Sequence, residues 1–134
     1  MNLITRDTDY AVRALCYMAQ RPGHTVSVPE FCSELGLPRA YLRSVLQVLA
    51  HHRILASSRG KGGGFKLTKD PALLTLAGLM EIFQGKTDFT RCVFRASACT
   101  DQGTCPLRRK IKDIERKAVA ELRSTTIASL LTNR

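Results

Sequence analysis

Three cysteines in the second half of the chain are close enough in sequence to share one ligand. Six residues separate Cys92 from Cys99, and five small or polar residues separate Cys99 from Cys105. Thiolates are preferred ligands of iron-sulfur clusters and soft metals, and short loops between ligands cost little chain entropy when they close. We therefore expect these thiols to bind the iron atoms of an iron-sulfur cluster, either 2Fe–2S or 4Fe–4S.

Two other chemistries for these thiols stay open. A structural zinc site is less favoured because it needs a fourth Cys or His nearby, whereas all three histidines lie in the first half of the chain. Exposed thiols can also respond directly to oxidation without any metal. Basic residues at 108–110 follow the last cysteine, and their positive charge would offset an anionic cluster.

The remaining cysteines, Cys16 and Cys32, fall on apolar helix faces, where an unpaired thiol is normally an inert core residue. An enzyme with a cysteine nucleophile is disfavoured because no histidine is near the three clustered cysteines and no acid-base pair or cofactor fingerprint is visible. We therefore expect no enzymatic activity and no small-molecule substrate.

A second group of residues suits a nucleic acid. Six Lys or Arg residues and no acid lie between Arg39 and Lys66. A helix about 10–12 Å across fits the major groove of DNA, and a glycine-rich basic turn can approach the backbone or the minor groove. The candidate DNA-binding residues are Arg39, Tyr41, Arg43, Ser44, Gln47, Arg59 and Lys61.

Composition supports one folded domain that attracts polyanions. The chain has 134 residues, 44% of them hydrophobic, and a formal net charge of +10. Such a charge favours double-stranded DNA as partner. No apolar run reaches the roughly 20 residues that cross a bilayer, and charges in the first 20 residues do not fit a signal peptide, so a cytoplasmic protein without a membrane partner is expected.

Periodicity predicts a helix-turn-helix followed by a hairpin. A first helix begins after Thr5 and runs to about Arg21. A capping box over residues 27–30 begins a short helix that ends near Leu35, and Pro38 begins the next. Two strands, 54–58 and 65–68, then flank the turn at 59–64.

In the second half, Thr75 can cap a helix, and residues 86–104 show no clear period. A long helix from Pro106 to about Ser124 follows, and residues 127–131 could form a short closing helix. The long helix repeats apolar residues at steps of four and three, a seam narrow enough to pair with a second copy. Its members are Leu107, Ile111, Ile114, Ala118 and Leu122.

Four features of the chain together carry a resemblance to a known family: Thr8–Leu15 (TDYAVRAL), the helix-turn-helix, Arg59–Phe65 (RGKGGGF) and the three-cysteine loop. They resemble the Rrf-two family of winged-helix regulators, and the resemblance covers nearly the whole chain. The family includes branches that regulate iron-sulfur assembly, sense nitric oxide and regulate iron, and the opening stretch looks most like the nitric-oxide branch. The resemblance implies a homodimer that binds palindromic promoter DNA and holds one iron-sulfur cluster per subunit.

The resemblance also suggests a fourth cluster ligand. In some members of the nitric-oxide branch, an aspartate at the position of Asp9, contributed by the other subunit, is that ligand. The iron-sulfur-assembly branch instead uses a histidine where this chain has Arg108, which cannot bind iron, and an acidic residue where it has Arg43. A ligand set of that second kind is therefore not expected, and the DNA sequence recognised should differ.

These inferences combine into one expectation. The fold is mainly α with a small β-hairpin wing, a winged helix-turn-helix plus a long C-terminal dimerisation helix. Residues 1–70 form the DNA-binding domain, and residues 71–134 carry the cluster loop (86–105) and the dimer helix, packed with the first as one unit. We expect a transcription regulator, a repressor, whose cluster senses nitric oxide, redox state or iron; the alternative is a DNA-binding regulator that uses cysteine oxidation or zinc.

Overall fold

The computed structural model describes residues 2–88 and 103–133, which form six α-helices and one antiparallel hairpin. Cys92, Cys99 and most of the predicted cluster loop lie outside the described residues. The elements in chain order are α1 (Arg6–Ala19), α2 (Val28–Leu35), α3 (Arg39–His51), β1 (Leu55–Ser58), β2 (Gly64–Leu67), α4 (Leu76–Gln84), α5 (Pro106–Ser124) and α6 (Ile127–Thr132).

The fold is therefore the expected one, mainly helical with a two-stranded wing. The wing (residues 55–67) pairs Leu55 with Leu67 and Ser58 with Gly64. The predicted bounds of α5 are confirmed, whereas α1 ends at Ala19 rather than near Arg21 because the chain turns at once, with the His24 amide donating to the Arg21 carbonyl. A short 3-10 turn, Pro71–Leu73, which the sequence did not predict, precedes α4.

One hydrophobic core holds both halves of the chain together. Leu15 of α1, Phe31 of α2, Leu46 of α3, Leu79 of α4 and Ile127 of α6 are each at most 1% exposed and belong to the same cluster. Burying such a side chain stabilises the fold by about 1.5–3 kcal/mol. The elements on either side of residue 70 thus share their packing. Cys16 is buried in this core and Cys32 packs partly against it, as predicted for inert thiols.

Helix α5 is different, because Leu122 is its one buried residue. Leu107 and Ile114 of its predicted seam are 68% and 51% exposed in the single chain. In the part of the chain that the structure describes, no helix combines the length and the apolar character that crossing a membrane requires.

The wing is joined to the segment before α2 by a close backbone contact. Val26 and Phe65 exchange two backbone hydrogen bonds, each 2.8 Å long. The neighbouring Gly64 has φ +152°, and a Cβ atom at that position would lie 2.3 Å from the Val26 carbonyl oxygen. Only glycine allows the two segments to approach this closely.

We predict that Gly64→Ala lowers the free energy of unfolding by about 2 kcal/mol or more, because both the backbone conformation and the Val26 contact become strained. Denaturant titration measures the change. Gly103→Ala is the matched control, since a Cβ there meets no atom of the described residues within 4 Å. Equal loss in both variants would contradict the prediction.

Candidate nucleic-acid interface and the Cys105 pocket

An open groove of about 770 Å³ lies between the start of α2, one face of α3 and the wing. We call it the α3–wing groove. Three arginines and one histidine line it, and no carboxylate does so among the described residues. The main lining side chains are Ser27, Val28, Pro29, Arg39, Arg43, Gln47, His51, Ser57, Ser58, Arg59 and Phe65.

Helix α3 presents a regular row of polar side chains to this groove. Arg39, Arg43, Gln47 and His51 recur every four residues, and all four are exposed. The opposite face carries Leu42, Val45, Leu46 and Leu49, which are at most 2% exposed. Because residues four apart lie on one side of a helix, burial of the leucine face turns the polar row outward.

A polar network fixes the start of α2. Ser27 caps the helix by accepting a hydrogen bond from the Glu30 amide, which is the first half of the predicted capping box. The Glu30 carboxylate is engaged elsewhere, because Oε1 accepts from Tyr17 Oη at 2.9 Å and lies 3.2 Å from His24 Nε2.

This network shifts two pKa values. Partial burial and the hydrogen bond to Glu30 raise the pKa of Tyr17. Desolvation alone would raise the pKa of Glu30, but the hydrogen bonds from Tyr17 and His24 lower it on balance. A carboxylate with a lowered pKa stabilises the fold above its ordinary titration range, and this contribution is lost as the pH falls through its folded-state pKa. At neutral pH the negative charge is therefore held by Tyr17 and His24.

The wing contributes one predicted residue to the groove. Arg59 lines it, and the turn after Arg59 depends on Gly60 and Gly62, whose φ angles are +89° and +74°. Lys61 is exposed in this turn but does not line the groove.

The seven sequence-predicted DNA-binding residues therefore divide into two groups. Arg39, Arg43, Gln47 and Arg59 are brought together in the groove. Tyr41, Ser44 and Lys61 are exposed outside its lining, and the Tyr41 ring lies 5.6 Å from the Arg6 guanidinium. Sequence reasoning missed His51, Ser57 and Ser58, although the four-residue step from Arg39 through Gln47 leads directly to His51.

Cys105 lies at the start of α5 beside a small basic cavity. It is a free, partly exposed cysteine. It shares a cavity of about 300 Å³ with Gly103, Arg108, Arg109 and Lys112. Arg108 and Arg109 supply the positive charge that the sequence predicts next to the thiol, and the third basic residue lining the cavity is Lys112 rather than Lys110. A thiol surrounded by cations suits an anionic, thiolate-bound group.

Asp9 is half-buried in the first turn of α1 and pairs with Arg13, whose Nε lies 3.0 Å from Asp9 Oδ2. Within the described residues, no three His, Cys, Asp or Glu side chains come together as a metal site. The structure describes two residues of the predicted ligand set, Cys105 and Asp9. The other two, Cys92 and Cys99, lie outside the described residues.

The turn that carries Asp9 is bound to the end of α4. Gln84 Oε1 accepts from the Thr5 amide and from Thr8 Oγ1, both at 3.0 Å, and Gln84 Nε2 donates to the Leu3 carbonyl. Thr8 is the one buried polar residue among those described. The end of α4 therefore lies beside the first turn of α1. The cysteine segment follows α4 in the sequence.

Comparison with known proteins agrees with the helical fold and its two-stranded wing. The model of the Rrf2 family, described as iron-dependent transcriptional regulators, matches residues 4–133. The transcriptional repressor NsrR of Streptomyces coelicolor is 27% identical over 130 residues, which cover 96% of this chain and 87% of that protein.

Two solved structures show the same fold. CymR, the global cysteine regulator of B. subtilis, has a TM-score of 0.79 at 22% identity, covering 100% of this chain and 99% of that chain. IscR of T. potens has a TM-score of 0.76 at 22% identity, covering 98% and 88%. Because the family model spans nearly the whole chain, this protein belongs to the Rrf2 family of transcriptional regulators.

Proposed function

We propose that the protein is a homodimer that binds promoter DNA through the α3–wing groove and represses transcription in response to a signal received at its cysteines. The observation that carries the proposal is the groove itself, in which Arg39, Arg43, Gln47 and Arg59 converge, with no carboxylate among its described lining residues. Arginine and glutamine are the side chains that contact guanine, adenine and phosphate most effectively. Tyr41, Ser44 and Lys61 would add backbone contacts at the edge of the groove.

The long helix supports the dimer. Exposed Leu107 and Ile114 lie on the face that also carries Ile111 and Ala118, and water would be removed from this face if a second copy packed on it. Two α3 helices would then meet successive major-groove faces about one helical turn apart, as palindromic sites require. In this proposal, residues 1–70 bind DNA, and residues 71–134 bind the cluster and form the dimer.

For the sensor, we infer that Cys92, Cys99 and Cys105 hold an iron-sulfur cluster, one per subunit, with Asp9 of the other subunit as fourth ligand. The basic cavity at Cys105 and the family's iron dependence support this inference. The cluster, 2Fe–2S or 4Fe–4S, would supply a centre sensitive to nitric oxide, redox state or iron. Arg13 would compete with the cluster for the Asp9 carboxylate, with which it pairs in the single chain.

The position of Cys105 suggests how the signal reaches the DNA. Cys105 immediately precedes α5, and Asp9 lies in the turn that Gln84 binds to α4. A change at the cluster would therefore act on α5 of one subunit and on α1 of the other, which would carry the fourth ligand. Because α1 packs on α3, the spacing of the two α3 helices in a dimer would change.

The alternative function is a DNA-binding regulator without a cluster, in which thiol oxidation or zinc replaces it. The resemblance to CymR, a cysteine regulator, favours this alternative over an enzyme. Metal analysis of anaerobically purified protein separates the possibilities, since iron with sulfide, zinc, and no metal are three different results.

The DNA interface is tested with Arg43→Ala. We expect operator affinity to fall by about 1–3 kcal/mol, because a long donor in the centre of the groove is lost. Titration of a fluorescent duplex at fixed salt measures the change. Arg116→Ala removes the same charge from α5, outside the groove, and should bind nearly as wild type. Equal effects of both substitutions would indicate a general charge effect and contradict the assignment.

The dimer is tested with the double substitution Leu107→Gln and Ile114→Gln, which keeps helix propensity while removing the exposed apolar seam. Sedimentation velocity should show monomers. Operator binding should weaken because each monomer brings a single α3 helix to the DNA. Arg116→Gln, on the opposite side of α5, should stay dimeric. A dimer that survives the double substitution would show that α5 does not form the interface.

The cluster is tested with Cys105→Ser, for which we expect loss of iron, acid-labile sulfide and visible colour after anaerobic reconstitution. Cys32→Ser, a free cysteine that packs against the core, should keep all three. Asp9→Ala should weaken the cluster if the aspartate is a ligand. Equal operator affinity of the cluster-loaded and cluster-free forms at fixed salt would remove the sensory role and leave DNA binding intact.

A further inference from the structure

His51 lines the α3–wing groove, whereas the histidine that follows it does not. It is the last residue of α3, it is exposed, and it continues the row of Arg39, Arg43 and Gln47. His52, the next residue, is also exposed but does not line the groove; the two rings meet edge to face with centroids 5.7 Å apart. One of two adjacent histidines therefore faces the surface proposed to bind DNA.

The length of α3 indicates which part of DNA would meet His51. His51 lies twelve positions after Arg39, which is about 18 Å along the helix axis. The major groove is about 12 Å wide, and a recognition helix contacts base edges mainly with its N-terminal residues. If the first turns of α3 read the bases, its last residue reaches the phosphate backbone at the rim of the major groove.

The charges around His51 favour a phosphate in the same place. The groove brings Arg43 and Arg39 from α3 and Arg59 from the wing to its surface. On α2 the nearest carboxylate in sequence, Glu30, is held by Tyr17 and His24. A phosphate bound at this surface would favour a positive charge on a neighbouring side chain. The C-terminal end of a helix also stabilises a cationic histidine.

We propose that His51 contacts a DNA phosphate as a cation, so that DNA binding takes up a proton at this residue. The inference rests on the proposed DNA-binding function and adds a residue and a pH dependence to it. Imidazole changes charge between about pH 5 and 8, so the contact forms in this range. Affinity for DNA is therefore greatest at the acidic end of the range and falls as the pH rises.

The experiment measures the dissociation constant between pH 6 and 8 at constant salt, using a duplex that the wild-type protein enriches from a random-sequence pool. Wild-type affinity should fall by about three- to tenfold over this range. His51→Gln should abolish the dependence, and His51→Arg should keep high affinity at both ends. At pH 6 the logarithmic salt slope of the wild type should be steeper than at pH 8 by about 0.9, the contribution of one additional phosphate contact.

The other two histidines are matched controls. His52→Gln changes the adjacent exposed ring, and His24→Gln changes the partner of Glu30; both should keep the wild-type pH dependence. A pH-independent wild type, or a dependence that persists in His51→Gln, would overturn the assignment while leaving DNA binding intact.

A mixed-sequence duplex distinguishes phosphate from base contact, since a phosphate contact gives the same pH dependence on both duplexes. Dependence on the enriched duplex alone would place His51 on a base edge and overturn the phosphate contact. Failure to enrich or bind any duplex would overturn the proposed function together with this inference.

Discussion

Burial of one face of α3 is the constraint on which the rest of the structure depends. Leu42, Leu46 and Leu49 are fully buried against α1 and α2, and this packing leaves a single rotational setting for the helix. Every fourth residue on the opposite side must then face outward. The arginines of the groove are therefore positioned by the leucines of the buried face.

The second wall of the groove depends on a backbone contact rather than on side chains. The wing is held beside α2 by the paired hydrogen bonds of Val26 and Phe65, and the missing side chain of Gly64 makes their approach possible. A two-stranded hairpin is marginally stable by itself. Its attachment to the segment before α2 therefore gives Arg59 a defined place opposite α3.

Communication between the two halves of the chain has a physical route in the shared core and in Gln84. Its amide binds three groups of the α1 start, Thr5, Thr8 and Leu3, from the last turn of α4. Helix α1 packs in turn on α3, α4 and α6. Among the described residues, the elements before and after residue 70 are therefore joined by direct helix packing.

The sequence by itself determined the α-helices and the two strands, their order, and the basic character of α3 and the wing. Capping residues, glycines and apolar periods are local signals, which is why the bounds of α5 and the order helix-turn-helix then wing could be predicted from them. Tertiary structure alone decided which exposed residues meet. It placed His51 in the groove and Lys61 outside its lining, and it directed the Glu30 carboxylate to Tyr17 and His24. These outcomes depend on how α1, α2, α3 and the wing pack together, and packing between distant segments leaves no periodic trace in the sequence.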